Sequence, residues 1–146
     1  MSEPFDRTIQ LIVERETPRL RLMPSKNVST RPAPDKWSKK EILGHLIDSA
    51  SNNHQRFVRA QLSGELVFPG YSQNDWVRAQ GYADEEWEKI VDLWSALNSH
   101  LAHLVARIPA DKLQAECRVG VNAPMTLKAL IKDYIRHTNH HLEQLG

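Results

Sequence analysis

The sequence predicts an all-α protein, a four-helix bundle with long crossover connections. Three observations predict it. Four segments repeat apolar residues at three- and four-residue steps, two long aperiodic stretches divide them, and histidines sharing a helical face sit at the start of the second segment and the end of the fourth.

The first segment runs from about Phe5 to Leu22. Ile9, Ile12, Val13, Glu16 and Leu20 form a partial stripe, and Pro18 within it predicts a kink or an early end. Residues 24–36 carry three prolines and no period, which reads as a linker. The second helix opens at Ser38. Ser38-Lys39-Lys40-Glu41 is a capping-box signature, in which the serine hydroxyl accepts from a free amide one turn in and Glu41 reaches back. Trp37 before it is placed to act as a hydrophobic staple. Ile42, His45, Leu46, Ser49, Asn53, Arg56 and Phe57 trace one side of this helix, and Gly64 is its expected stop.

Residues 65–83 form a long connection, turned at Pro69-Gly70, with a short helix expected from Ser72 that carries Trp76. The third long helix is expected near Asp84 and Glu85, acidic residues that suit the positive end of a helix dipole. Trp87, Ile90, Val91, Trp94, Leu97, Leu101, Leu104 and Val105 give it the clearest amphipathic pattern in the chain, ending before Pro109. Residues 109–125 form a second connection, in which 115–122 read as a short extended segment. Thr126 is the expected cap of the last helix, with Leu127, Leu130, Ile131, Tyr134, Ile135, His137, Thr138, His141 and Leu145 on its inner side.

The bulk composition fits one domain, residues 1–146. The chain is 40% hydrophobic and 25% charged, ordinary values for a globular protein. A net charge of +1 gives no reason to expect nucleic acid or an anionic membrane as partner. The single cysteine, Cys117, fits a reducing cytoplasm. The opening MSEPFDRTIQ lacks the basic-then-apolar order of a signal peptide, and no stretch reaches the roughly 20 apolar residues of a membrane span. A cytoplasmic protein is the expectation.

Seven histidines are present. Positions i and i+4 of a helix stack on one face, so His137 and His141 point the same way and can share a cation. His140 lies about 100° around the axis from His141; a pairing of His137 with His140 remains a weaker alternative. Two imidazoles bind weakly, and His45, on the inward side of the second helix, is the best candidate for a third. His54, His100 and His103 read as ordinary surface or core residues. The two ends meet only if the second and fourth helices are antiparallel. That requires the second and third to be parallel, joined by an overhand connection. At about 3.3 Å per extended residue, residues 65–83 are long enough to make it.

The segments Trp37 to Ser49 and His137 to Leu145 resemble the two motifs of the DinB/YfiT-like superfamily, the second being a histidine, another four residues on, and a glutamine, Gln144, three further. The resemblance covers essentially the whole chain, although the chain stops soon after the closing motif, where longer members continue. It implies a four-helix bundle with long connections and a three-histidine site made by His45, His137 and His141. It also implies a divalent transition metal, nickel or zinc foremost with iron or manganese as options, and a homodimer. Members resemble thiol-dependent transferases using a low-molecular-weight thiol, or hydrolases, acting on small molecules.

Three neutral imidazoles leave at least one coordination position open, the pattern of catalytic sites. That position can take water for hydrolysis or a thiolate for S-transfer. A metal-binding stress-response module or scaffold without catalysis is the competing reading, and a plain helical dimer whose histidines bind nothing is the third. Asp48, at i+3 from His45, and Asp133, at i−4 from His137, are candidates to orient the rings. Asn52 and Asn53 are candidates to face the site. Arg56 either binds an anionic substrate group or pairs on the surface, the surface being preferred. Tyr71 and Trp76 are the expected pocket wall, and Cys117 is expected to be an ordinary thiol.

Overall fold

The computed structural model describes residues 4–146. Met1, Ser2 and Glu3, the start of the polar amino-terminal segment discussed above, lie outside the described residues. α1 spans Phe5–Arg21 and buries Phe5, Ile9, Ile12, Val13, Glu16 and Leu20, a face generated by three- and four-residue steps. It does not end at Pro18. The proline lacks only one amide donor, and the turn beyond it is held by tertiary contacts: Leu20 is fully buried, and Trp87 Nε1–H donates to its carbonyl at 2.7 Å.

The stretch read as a plain linker contains a five-residue helix, α2 (Ser25–Ser29), because Val28 finds a fully buried seat. α3 spans Lys39–Ser63 and begins with the expected capping box. Ser38 Oγ accepts from the Glu41 amide at 3.3 Å and Glu41 Oε1 accepts from the Ser38 amide at 3.0 Å. Arg31 clamps the same carboxylate with two bonds of 2.9 and 2.8 Å. The helix stops at Gly64, whose φ of 75° is left-handed.

The first long connection holds β1 (Glu65–Phe68), α4 (Gln73–Gln80) and a 3-10 turn at Tyr82–Asp84. α5 spans Trp87–Ala106 and starts slightly later than expected, since that turn takes up Asp84. The second connection holds a 3-10 turn at Ala110–Gln114, then β2 (Glu116–Val119) and β3 (Met125–Thr126). β1 pairs parallel with β2, Leu66 opposite Cys117, and β2 pairs antiparallel with β3. The extended segment foreseen in 115–122 is β2; β1 was not foreseen. α6 spans Leu127–Gln144, with Thr126 Oγ1 accepting from the Ala129 amide at 3.1 Å.

Two apolar clusters fix the helix directions. One joins Phe5 and Ile9 of α1 to Phe57 and Ala60 of α3, Leu101 and Val105 of α5, and Leu127 and Leu130 of α6. The other joins Leu20 of α1 to Leu43 and Leu46 of α3, Ile90 and Trp94 of α5, and Leu142 and Leu145 of α6. The late turns of α3 and α5 therefore share an end with the early turns of α1 and α6. α3 and α5 are parallel, and both run against α1 and α6, the arrangement that the histidine spacing and the overhand connection require. Among the described residues no helix is long and apolar enough to cross a membrane.

Candidate functional site

His45 is fully buried in the second turn of α3. His137 and His141 lie half-buried, one turn apart near the end of α6. Because α3 and α6 are antiparallel, the three rings converge: centroids are 5.0 Å apart for His45 and His137, 4.8 Å for His45 and His141, and 4.5 Å for His137 and His141. One nitrogen from each ring lies within 4.8 Å of the others, and His45 Nε2 stands 3.1 Å from His137 Nε2. Two nitrogens each about 2.1 Å from one tetrahedral ion would stand about 3.4 Å apart, so the donor set fits a divalent transition metal. His140 is exposed and outside this group.

Burial keeps two of these rings, those of His45 and His137, neutral. It is the largest influence lowering His45 to about 3, with His137 and His141 adding to it. Burial and then His141 lower His137 to about 4, against an opposing pull from Asp133. Neutral imidazoles offer their lone pairs to a cation.

The surrounding contacts differ in part from the sequence reading. His141 Nδ1–H donates to Gln144 Oε1 at 2.8 Å, which leaves Nε2 as the free lone pair. Spacing of i+3 on one helix was the available signal for that pair. Trp37 lies against His45, ring centroids 5.0 Å apart.

Asp48 does not orient His45. Its Oδ1 accepts from Gln80 Nε2 at 2.7 Å and Tyr82 Oη at 2.8 Å, while His45 Nδ1 and Asp48 Oδ2 are both buried without a hydrogen-bond partner. Two donors from the crossover connection hold the carboxylate away from the ring. Asp133 is bonded by Arg136 at 3.0 and 2.8 Å on the exposed side of α6. Asn52 and Asn53 are buried but turn their amide donors onto their own helix, to the carbonyls of Asp48 and Ser49 at 2.9 and 2.8 Å. Arg56 is not at the surface; it is 8% exposed, covered by the connection, with its guanidinium 5.4 Å from the Phe68 ring centroid. Cys117 is buried and its thiol is pushed up by burial and then Glu116, as suits an inert core residue.

A cavity of about 500 Å³ opens beside His141 and Gln144, walled by Trp37, Ile42, Pro32 and Asn74, with Asp35 and Lys36 also lining it. Tyr71 and Trp76 pack on each other at 4.9 Å but do not line it. The wall comes from the proline-rich segment before α3, which has no periodicity to betray it.

Crossover-linked parallel helices with three imidazoles gathered between α3 and α6 define a three-histidine bundle. The chain belongs to the DinB superfamily, whose sequence profile matches residues 11–145. It is 23% identical over 109 residues to a protein of Halalkalibacterium halodurans named "Putative metal-dependent hydrolase", covering 75% of this chain and 63% of that one. A protein of the same name from Oceanobacillus iheyensis is 20% identical over 109 residues, covering 75% of this chain and 62% of that one. The matched region thus spans less than two thirds of either relative. Among solved structures, YfiT from Bacillus subtilis, described as a probable metal-dependent hydrolase with an unusual four-helix bundle topology, superposes with a TM-score of 0.85. The match is at 15% identity over 97% of this chain and 81% of that one, and shows the shared fold.

Proposed function

We propose that this chain is a metal-dependent hydrolase of small molecules in which His45, His137 and His141 hold one divalent ion, zinc or nickel. The observation that carries the reading is the convergence of three imidazole nitrogens within 4.8 Å, two of them on rings that burial keeps neutral. The names of the curated relatives support it. When bound, such an ion supplies Lewis acidity and lowers the pKa of water toward neutrality. The chain's own residues do the rest. Gln144 fixes the tautomer and direction of His141. Trp37, Ile42 and Pro32 shield the site from bulk water and seat the apolar part of a substrate, while Lys36 and Asp35 offer charge at the cavity. The buried thiol Cys117 supports a cytoplasmic setting, and the family resemblance supports a homodimer, which sedimentation would read directly.

Elemental analysis of untagged protein tests the site: about one equivalent of zinc or nickel is expected, falling by most of that in His141→Ala. Equal metal content in the two proteins overturns the ligand assignment. Ester and amide turnover by the zinc-loaded protein tests the reaction. A cobalt-substituted spectrum that shifts with low-molecular-weight thiols, without such turnover, replaces hydrolysis with thiol-dependent S-transfer.

A further inference from the structure

α3 carries a charge that the three-histidine site does not use. His45, Ser49, Asn52 and Arg56 follow one another at three- and four-residue steps and so share a face. Arg56 closes that stripe. It is 8% exposed, its Nε is buried without a hydrogen-bond partner, and its Nη1 reaches Asn53 Oδ1 only at 3.5 Å, the far limit of a bond. Among the described residues no carboxylate forms an ion pair with it. Arg31 and Arg19, by contrast, are paired with Glu41 and Glu16.

A buried, unpaired guanidinium costs several kcal/mol in lost hydration. The Phe68 ring beneath it returns only part of that, and Arg59 stands 5.9 Å from the same ring, adding positive rather than negative charge. A role as a strut for β1 therefore does not account for the charge; an apolar side chain would serve better there. A ligand anion does account for it. We propose that Arg56 is a subsite for a carboxylate group of the substrate.

The geometry suits one small molecule reaching both places. Eleven residues of helix separate His45 from Arg56, an axial rise of about 16 Å. Arginine on a helix leans toward the amino terminus, as the contact with Asn53 shows, and His45 leans the same way, so the guanidinium lies at somewhat less than that rise from the imidazole along the axis. A single buried positive charge balances a monoanion, and the fork of a guanidinium matches the two oxygens of a carboxylate. The substrate class is then a carboxylic acid long enough for its reacting bond to reach the imidazoles from Arg56. That last step rests on the hydrolase reading; the subsite itself does not.

Thermal unfolding with sodium acetate against sodium chloride at equal ionic strength and pH 7.5 tests the subsite, on zinc-loaded and on EDTA-stripped protein. Acetate at 50 mM is expected to raise Tm by about 3 °C over chloride in both forms. Arg56→Met is expected to fold at least as stably as wild type, since it removes an unpaired buried charge, and to lose the acetate shift. Arg56→Lys, which keeps the charge without the fork, is expected to keep less than half of it. No shift in wild type, or an equal shift in Arg56→Met, overturns the subsite. A shift confined to the zinc-loaded protein and kept in Arg56→Met also overturns it, and instead reports acetate on the ion. A larger shift with phosphate than with acetate overturns the carboxylate assignment. An acetate shift lost in Arg56→Met, from a protein that holds no metal on elemental analysis, upholds the subsite while the hydrolase reading fails.

Discussion

His141 and Gln144 sit one turn apart on α6, and the ring donates its Nδ1 proton to the amide oxygen at 2.8 Å. That bond selects the tautomer whose Nε2 lone pair points to His45 and His137. Without it the half-buried ring is free to rotate and to carry its proton on either nitrogen. Gln144→Leu is therefore expected to weaken zinc or nickel binding by about 10- to 100-fold, the range for loss of a hydrogen-bond partner behind a metal-bound histidine. Gln144→Glu, which keeps the acceptor and raises its basicity, is expected to bind at least as tightly as wild type. Competition against a chromophoric chelator measures both, and equal affinity for Gln144→Leu and wild type would remove the bond from any role at the site.

The metal-free protein carries a pH dependence of known sign. His45 is lowered to about 3 and His137 to about 4, chiefly by burial and then by neighbouring imidazoles, from an ordinary value near 6.5. The unfolded chain takes up protons near pH 6.5 that the folded chain refuses, so the folded state loses stability as pH falls below that point. The contribution is whole above about 6.5 and gone by about 3. Glu16 and Glu41 also sit below their ordinary range. Burial alone would raise them, but hydrogen bonds from Arg19 and Arg15, and from Arg31 and Ser38, outweigh it. Their contribution is lost below about pH 4.5; between 6.5 and 5 the lowered histidines, His54 among them, act against Asp48, whose carboxyl burial pushes up, so the comparison with a variant lacking one ring isolates that ring. The urea midpoint of EDTA-treated protein is expected to drop steadily across that window, and His45→Gln, which has no ring to protonate, to drop less. A drop as steep in His45→Gln as in wild type would mean that the His45 ring is not desolvated in solution.

The long helices and the triad were legible because both are properties of spacing. Four amphipathic periods located α1, α3, α5 and α6, Ser38 and Glu41 marked where α3 starts, and His137 and His141 stand one turn apart in any α-helix. Even the parallel pairing of α3 and α5 followed from where His45 had to meet α6. What stayed hidden depends on the aperiodic connections. β1 is four residues whose partner, β2, lies far along the chain, so no local pattern declares it. Arg56 reads as a surface residue until Phe68 of the connection packs against it. Asp48 reads as a partner for His45 until Gln80 and Tyr82 claim its carboxylate. Pro18 reads as a stop until Leu20 and Trp87 anchor the turn beyond it. In each case a tertiary contact outweighed the local preference.

Gly44 shows how the crossover connection is locked against the helix that carries His45. A Cβ built there would lie 2.2 Å from Tyr82 Cδ2 and 2.4 Å from Tyr82 Cγ, inside the ring's own volume. Tyr82 is 3% exposed, and its hydroxyl donates to Asp48 Oδ1 at 2.8 Å, so the ring has no free space to yield. Helix propensity favours Gly44→Ala by about 1 kcal/mol. Displacing a packed ring costs about 1–3 kcal/mol, and releasing the buried Asp48 carboxylate costs about 1–3 kcal/mol more. The net expectation is destabilisation by about 1–5 kcal/mol in urea unfolding at pH 7. Tyr82→Phe keeps the ring and loses only the hydroxyl, so it separates the carboxylate's share from the packing share. Tyr82→Ala removes all three of the ring atoms nearest that Cβ, and Gly44→Ala should cost much less on that background than on wild type. Such a coupling, read by a double-mutant cycle, identifies contact with Tyr82 as the reason for a glycine inside α3. If the cost of Gly44→Ala is the same on both backgrounds, the ring is not what the glycine accommodates.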